Sequence, residues 1–397
     1  MERKSDHELL HNTFAVREIG LDSLLTSQNQ QLQKFTITDN ILKRNKELRE
    51  SLPPTDYFNM IDPYVSKLLV SPKNFSDVLV VANRFPDGLT DFLGFECHLN
   101  GGEPHADWAL AISGKGKARH LLVDFLNNGH LPKHKQDKPE WKQIRDFVEV
   151  WADPQSILHK KILGAWLEFD MPQTPTSVPI PSVFFNPAQI NGSTASDSFQ
   201  HSWFTKIALP SLMGHPLPKM VERNVQKCIQ KLQDGTSLFI VGVMLSRETS
   251  DVRMSVRFRD SYQIVPYLKS IGWLYDIEPF LSLITDLAKM GANRLILDYD
   301  VGRQIGCKIA VECSFSPNKY HEETHWKEFL HYLVEKKLIT SEKCDALLQF
   351  PGQEQNGFFV RYITHVKIVY EPGHPLKVKA YLAIRHFLDG QITRMHV

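Results

Sequence analysis

The stretch Leu376-Lys-Val-Lys-Ala-Tyr-Leu-Ala-Ile-Arg-His386 alternates between polar and apolar side chains. One face carries Lys377, Lys379, Tyr381 and Arg385. The other face carries Val378, Ala380, Leu382 and Ile384. A period of two over this length predicts a β-strand with one polar and one apolar face. This polar face is cationic, which is more than a face that only meets water requires.

The same alternation recurs upstream, in pairs of strands that are followed by helical segments. Asn100-Gly101 in the first pair is a strong hairpin signal. The predicted pairs are 91–99 with 106–113, 162–170 with 182–185, 237–246 with 252–259, 294–300 with 307–315, and 365–370 with 376–386. Hairpins imply antiparallel neighbours, which argues against a doubly wound parallel sheet.

We therefore expect an α/β (α+β) fold, a closed ten-stranded antiparallel barrel of repeated strand–strand–helix units with the helices outside. The barrel domain is predicted over 76–397, after a helical N-terminal segment over 1–75. Closure turns the polar faces inward around a lumen. The alternative is an open sheet whose polar face meets water and carries cross-strand ion pairs of a few tenths of a kcal/mol.

Composition narrows the class of protein. The chain has 397 residues, a formal charge of +1 and 42% hydrophobic residues, which is ordinary globular material. Near-zero charge argues against nucleic acid as a partner. The sequence predicts no membrane span and no secretory signal, since it has no long apolar run and a charged start. Five scattered cysteines fit reduced thiols in a cytoplasmic protein.

The inward faces predict a charged lumen in which acids and bases are separated by hairpin. Acids dominate the first two hairpins, for example Glu96 and Glu168. Bases dominate the third and fifth, for example Arg253, Arg257 and Lys379. Clustered cations suit a phosphate or diphosphate through charge-assisted hydrogen bonds. A carboxylate across the cavity is placed to act as a general base or to stabilise a developing cation.

Repeated antiparallel pairs with helices outside and a cationic lumen resemble the ABBA prenyltransferases, or PT-barrel enzymes. The Lys379-Ala-Tyr381 pair matches a Lys-x-Tyr pattern of that family, although only this strand has one. The resemblance implies transfer of an allylic prenyl group from a prenyl diphosphate to an aromatic or peptide acceptor, as in natural product biosynthesis. It implies no metal cofactor, and it leaves open an accompanying Mg²⁺ on the diphosphate.

The resemblance also implies roles for individual residues. Glu96, or Asp107 as the other positional match, takes the proton from the acceptor, and Tyr381 shields the allylic cation. Trp166 is placed to stack on the acceptor or the prenyl chain, with ordinary packing as the alternative. The expected diphosphate ligands are Arg257, Lys308, Lys367, Lys379 and Arg385.

Two other functions compete with prenyl transfer. A non-catalytic barrel that binds a peptide or an anionic ligand predicts the same basic lumen without chemistry. The string His321-Glu322-Glu-Thr-His325 matches the HExxH signature of zinc-dependent hydrolases, in which both histidines bind zinc from one helical face. Ser316-Pro317 just upstream and a helix start near Thr324 favour a polar loop there instead.

Overall fold

A computed structural model describes residues 43, 45–101, 103–131, 137–172, 178–188, 190–193, 201–247, 249–354 and 358–387. In this part of the chain, all strands belong to one sheet of 11 strands. Their bounds are β1 Phe92–His98, β2 Ala106–Ser113, β3 Ile162–Phe169, β4 Ser182–Pro187, β5 Thr236–Val243, β6 Val252–Phe258, β7 Arg294–Val301, β8 Ile305–Ser314, β9 Gly352–Glu354, β10 Phe359–Tyr370 and β11 Lys377–His386.

The sheet closes on itself. Strands β1 to β8 follow one another in chain order, β10 and β11 come next, and β11 pairs with β1. Every pairing is antiparallel. The short β9 pairs only with the start of β10 and stands outside this ring. The predicted ten-stranded antiparallel barrel is therefore confirmed, and with it the PT-barrel architecture.

Strand β10 is the element that differs most from its sequence prediction. It begins at Phe359, whereas the alternation indicated a start at His365. A β-bulge between Ile363 and His365 shifts the register against β11, so the period of two breaks there. Because the bulge is formed by pairing with another strand, the sequence pattern of β10 alone does not reveal it.

Helices follow the hairpins, as the repeat predicts. Most of them carry one buried apolar face, which packs on the outside of the sheet. The α-helices whose bounds both fall within the described residues are Pro54–Ile61, Pro72–Ala82, Ala118–Asn127, Pro139–Ala152, Ile157–Lys161, Leu209–Met213, Lys219–Gln230, Ile264–Ile271, Glu278–Lys289, His325–Glu335 and Ser341–Gln349. Shorter turns are the 3₁₀ segments Asp62–Tyr64, Ser261–Gln263 and Tyr320–Glu322 and the π-helical Phe204–Ala208.

Aromatic packing shows which face of the sheet is the dry one. Trp108 of β2 stacks on Phe169 of β3 with ring centroids 4.7 Å apart. Phe58, from the helix Pro54–Ile61, meets the Trp108 ring edge-on at 5.5 Å. Each fully buried ring of this kind stabilises the fold by about 2 kcal/mol. Since this outer face is apolar, the alternating polar side chains point into the barrel.

The described residues from Arg49 onward form one compact unit. The predicted N-terminal segment over 1–75 lies largely outside the described residues. Its described part includes Pro54–Ile61 and the start of the helix Pro72–Ala82, so the 75/76 boundary stays a prediction. Among the described helices, none combines the length and apolarity that a bilayer crossing requires.

Candidate active site

A cavity of about 480 Å³ occupies one end of the barrel, and we call it the lumen cavity. Its polar side chains come from the inward faces of the strands. Lys367 exposes only 14% of its side chain and Lys379 only 21%, which excludes a sheet face open to water. The lining includes Glu96, His98, Glu168, Ser182, Phe184, Arg247, Arg253, Asp298, Lys308, Lys367, Lys377, Lys379 and Tyr381.

Glu96 lies at the seam where the barrel closes. The register between β1 and β11 places Tyr381 opposite Glu96. Lys379 Nζ donates to one carboxylate oxygen of Glu96, and Tyr381 Oη donates to the other. Burial acts to raise the pKa of Glu96, but the positive charges of Lys379 and Lys367 outweigh it and lower the pKa to about 2. Glu96 is therefore a carboxylate that is a weak base.

Tyr381 is held on two sides. The His365 ring stacks on it at a centroid distance of 3.9 Å, and Lys367 Nζ lies 5.3 Å from its ring centre. Burial and the charge of Glu96 raise the pKa of Tyr381 well above 10, so its hydroxyl remains a donor. Burial and then Lys367 lower the pKa of His365 to about 3. His365 is consequently a neutral stacking partner.

Lys367 connects two carboxylates from neighbouring strands. Its Nζ lies 2.7 Å from Asp298 Oδ2 and 2.9 Å from Glu312 Oε1. Burial acts against the charge on Lys367, yet the facing carboxylates, Asp298 first, raise its pKa well above its usual value. Burial and then the Glu312 charge raise the pKa of Asp298. This cation is thus already committed to partners within the chain.

Two arginines of the lumen cavity form forked ion pairs. Arg253 Nε and Nη2 lie 2.5 and 3.1 Å from the two oxygens of Asp300. Arg247 Nη2 and Nε lie 2.8 and 3.0 Å from the oxygens of Asp170. Sequence reasoning placed Arg253 inside but missed Arg247, because Arg247 belongs to a turn outside the strand alternation. The fork geometry fixes both guanidinium planes at the wall.

Lys308 and Lys377 are the more exposed cations of the lumen cavity. Within the described residues, neither forms an ion pair with a carboxylate. Burial, and then the charges of Arg253 and Arg247, lower the pKa of Lys308. Because the positive charges of Lys308, Arg253 and Arg247 repel one another, an anion that enters the cavity is attracted to them and reduces this repulsion.

Glu168 of β3 is the carboxylate that sequence reasoning undervalued. Its side chain lines the lumen cavity, and none of the described residues donates a hydrogen bond to it. Burial and then the nearby charge of Glu96 raise its pKa to about 7. A pKa close to neutral suits a group that takes up and releases a proton during turnover. The alternation identified Glu168 as inward-facing, but its charged neighbours are set by the closed barrel.

Trp166, also on β3, lies beside this carboxylate. A small pocket of about 60 Å³ is lined by Trp166, Glu96, Glu168 and Tyr381. Phe92 meets the Trp166 ring edge-on at 5.0 Å. The pocket thus combines aromatic surface with two carboxylates, and it shares Glu96, Glu168 and Tyr381 with the lumen cavity.

The expected diphosphate ligands do not form one group. Lys308, Lys367 and Lys379 share the lumen cavity, whereas Arg257 lines a separate cavity of about 710 Å³ that we call the end cavity. Arg385 places its guanidinium carbon 5.3 Å from the ring centres of both Phe92 and Phe387. An inward-facing position therefore did not suffice to predict that a residue lines the lumen cavity, because β6 and β11 extend past this cavity.

Asp107 is held by its neighbours. His98 Nε2 lies 3.0 Å from Oδ2, His105 Nε2 lies 3.4 Å from Oδ1, and the backbone N–H of Met171 donates to Oδ1 at 2.8 Å. Burial acts to raise the pKa of Asp107, but these bonds, His105 first, lower it below its usual range. Asp107 is therefore a poorer base than Glu168.

Metal-ligating atoms converge at one point in the described part of the chain. Those of Glu96, His98 and Asp107 lie within 4.8 Å of one another. However, both carboxylate oxygens of Glu96 already accept hydrogen bonds from Lys379 and Tyr381. The described contacts of this group form a hydrogen-bonded network, which orients the side chains without needing an ion.

The HExxH string does not form the helical arrangement of a zinc hydrolase. His321 lies in the 3₁₀ turn Tyr320–Glu322, and the following helix begins only at His325. The His325 ring stacks on Phe315 at 5.0 Å, and its Nδ1 contacts Glu323. The two histidines therefore do not project from one helical face, as zinc binding by this motif requires.

No family model matches this chain, and no curated protein matches it either. Several solved structures of prenyltransferases align with it. The 5-dimethylallyltryptophan synthase from Streptomyces coelicolor is 10% identical with a TM-score of 0.48, and the match covers 79% of this chain and 92% of that one. The prenyltransferase PriB in its apo form is 9% identical with a TM-score of 0.47, and the match covers 79% of this chain and 90% of that one. AnaPT from Neosartorya fischeri is 13% identical with a TM-score of 0.45, and the match covers 77% of this chain and 80% of that one.

Proposed function

We propose that this barrel transfers an allylic prenyl group from its diphosphate to an aromatic or peptide acceptor, without a metal ion. One observation carries the proposal. Cations that suit a diphosphate share the lumen cavity with Glu168, a carboxylate whose pKa is raised to about 7. Anion binding and proton removal are the two tasks that such a transfer requires of the protein.

In this proposal the donor diphosphate binds at the exposed cations Lys308 and Lys377, with Arg253 and Lys367 deeper in the wall. As the allylic C–O bond breaks, its electron pair goes to the diphosphate oxygen. Lysine and arginine side chains stabilise the charge that develops there through charge-assisted hydrogen bonds. Arg257 and Arg385 are not part of this group, because neither lines the lumen cavity.

We propose that the acceptor occupies the lumen cavity beside Tyr381 and Glu168, where the small pocket lined by Trp166 adjoins it. Its π electrons form the new bond to the allylic carbon, and the resulting cationic acceptor loses a proton to Glu168. We assign the proton to Glu168 rather than to Glu96, since the pKa of Glu96 is held near about 2. Glu96 instead fixes Lys379 and Tyr381, and its negative charge favours a cation near the Tyr381 ring.

A non-catalytic barrel that binds an anionic ligand or a peptide is the second candidate. It is favoured by the ion pairs within the lumen cavity, because Arg253, Lys367 and Lys379 already have carboxylate partners. A new anion must compete with these carboxylates. Such a barrel binds a prenyl diphosphate without releasing diphosphate or forming an adduct.

The test is mass spectrometry of the chain incubated with dimethylallyl, geranyl and farnesyl diphosphate and with small aromatic or peptide acceptors. We expect the mass of an acceptor to rise by one prenyl unit. Lys308→Met should raise the KM for the donor, while the control Lys327→Met, an exposed lysine of the helix His325–Glu335, should change nothing. Donor binding without any adduct would favour the second candidate.

A further inference from the structure

The end cavity lies at the opposite end of the barrel from the lumen cavity. Strand β6 passes Arg253 in the lumen cavity and Arg257 in the end cavity, a separation of about 13 Å at the rise of a β-strand. The neighbouring β7 contributes Asp298 to the first cavity and Arg294 to the second. The two cavities are thus built from different residues of the same strands.

Two guanidinium groups of the end cavity differ from every arginine of the lumen cavity. The Nε and Nη2 of Arg257 are buried and have no hydrogen-bond partner among the described residues. Over the same part of the chain, no carboxylate forms an ion pair with Arg257 or Arg294. Arg253, by contrast, is held by both oxygens of Asp300. A buried cation without a partner costs free energy, which a bound anion recovers.

The two guanidinium groups also act on each other. Burial and then the charge of Arg294 lower the pKa of Arg257 to about 10. Burial lowers the pKa of Arg294 as well. The aromatic ring of Phe239 supports Arg257, with its centre 4.2 Å from the guanidinium carbon. Because this ring limits the positions of the Arg257 side chain, the group is held ready for a ligand.

The remaining lining favours a negatively charged ligand with several oxygen atoms. Arg259 adds a third, exposed cation, and Asp234 is the only acid that lines the described cavity. The Ser237 hydroxyl lies in the same wall, whereas Ser193 and Asn293 of this wall already donate to Asn191 Oδ1 and to the carbonyl oxygen of Ser316. A hydroxyl group beside two neighbouring guanidinium groups suits an oxyanion, which accepts several hydrogen bonds at once.

We propose that the end cavity is a second anion site, which binds a phosphate- or diphosphate-bearing molecule through Arg257 and Arg294. The site is independent of prenyl transfer in the lumen cavity. Its ligand therefore binds whether or not the chain is an enzyme.

The test is isothermal titration of the full chain with inorganic diphosphate and, separately, with inorganic phosphate. We expect Arg257→Gln and Arg294→Gln each to weaken one binding event about tenfold or more, since each removes charge-assisted hydrogen bonds. Arg257→Lys should recover part of the affinity. Lys308→Met, in the lumen cavity, and Arg223→Gln, on an exposed part of the helix Lys219–Gln230, should leave this event unchanged.

Thermal unfolding shows whether a loss of affinity is merely a loss of fold. Arg257→Met should keep or raise the midpoint, because it removes a buried cation whose Nε and Nη2 have no hydrogen-bond partner among the described residues. In a Lys308→Met background, which weakens the lumen cavity, diphosphate should raise the midpoint clearly less once Arg257→Met and Arg294→Gln are added. Absence of diphosphate and phosphate binding in Lys308→Met would overturn the proposal, as would equal affinity in the native chain and the Arg257→Gln/Arg294→Gln double variant.

Discussion

Two carboxylates that line the lumen cavity have pKa values shifted in opposite directions. The charges of Lys379 and Lys367 lower the pKa of Glu96 to about 2. Burial and the charge of Glu96 raise the pKa of Glu168 to about 7. Pairs of this kind divide roles between a permanently charged group and one that exchanges protons. At the residue scale, the candidate site is therefore organised by the charge that each carboxylate faces.

Glu168→Gln should lower turnover about a hundredfold or more, because the amide cannot accept the acceptor's proton. In the native chain, kcat/KM should rise as the pH increases through about 7, since Glu168 must be deprotonated to act as a base. Initial rates from pH 5 to pH 9 measure both. An unchanged pH profile in Glu168→Gln would contradict the assignment, and Glu328→Gln on an exposed helix face serves as the control.

Sequence alone identified Glu96, Lys379 and Tyr381 as inward-facing, and the structure brings these three side chains into contact. The sequence alone could not show which of Glu96 and Glu168 is the better base. The alternation shows which face a residue occupies, whereas a pKa depends on charges that lie across the barrel. The split between Lys367 and Arg257 was missed for the same reason, since a shared face does not fix the depth along the lumen.

At the scale of elements, the seam between β1 and β11 does most to define the site. It closes the ring, and its register sets Tyr381 opposite Glu96 and Lys379 opposite His98. The seam requires close approach at Gly94. A Cβ on Gly94 would collide with the carbonyl oxygen of Leu382 and with Ala383 of β11.

Gly94→Ala should lower the free energy of unfolding by about 2 kcal/mol or more, because the added methyl group pushes the paired strands apart. Gly306→Ala in β8 is the matched control. Its Cβ would meet Asp300 at 3.4 Å, which is an ordinary contact. Urea denaturation measures both variants. Equal stabilities of Gly94→Ala and Gly306→Ala would show that the seam tolerates separation.

The ion pair across the seam should show strong coupling. Lys379→Met should lower the free energy of unfolding by about 3 kcal/mol, since it leaves Glu96 buried without its cation. Adding Glu96→Gln should restore part of that loss, with a coupling energy of about 1 to 3 kcal/mol. Denaturation of the single and double variants completes the cycle. Additive effects would contradict the pairing, and exposed Lys377→Met should change stability by less than about 0.5 kcal/mol.

Elements with regular alternation were predictable, and those shaped by partners were not. The bounds of β2 agree with the sequence prediction, because its polar and apolar positions alternate throughout. The start of β10 was missed, since a bulge breaks its period. The short β9 carries no hydrophobic pattern of its own and exists through its pairing with β10.

At the scale of the whole molecule, closure converts a polar sheet face into an enclosed cavity. The hairpin repeat predicted this closure, because helices with one apolar face must cover the apolar side of the sheet. What the repeat did not indicate is that the lumen is divided by depth. Its cations at one end are largely paired with carboxylates, whereas no carboxylate among the described residues forms an ion pair with Arg257 or Arg294 at the other end.

The central claim is that the lumen cavity transfers a prenyl group without a metal ion. The most direct measurement is mass spectrometry of the full chain with dimethylallyl, geranyl or farnesyl diphosphate and aromatic or peptide acceptors, in excess EDTA. We expect an acceptor that gains one prenyl unit at an unchanged rate in EDTA, with the product lost in Glu168→Gln. No adduct with any donor, or an adduct that forms only when a divalent metal is restored, would contradict the claim.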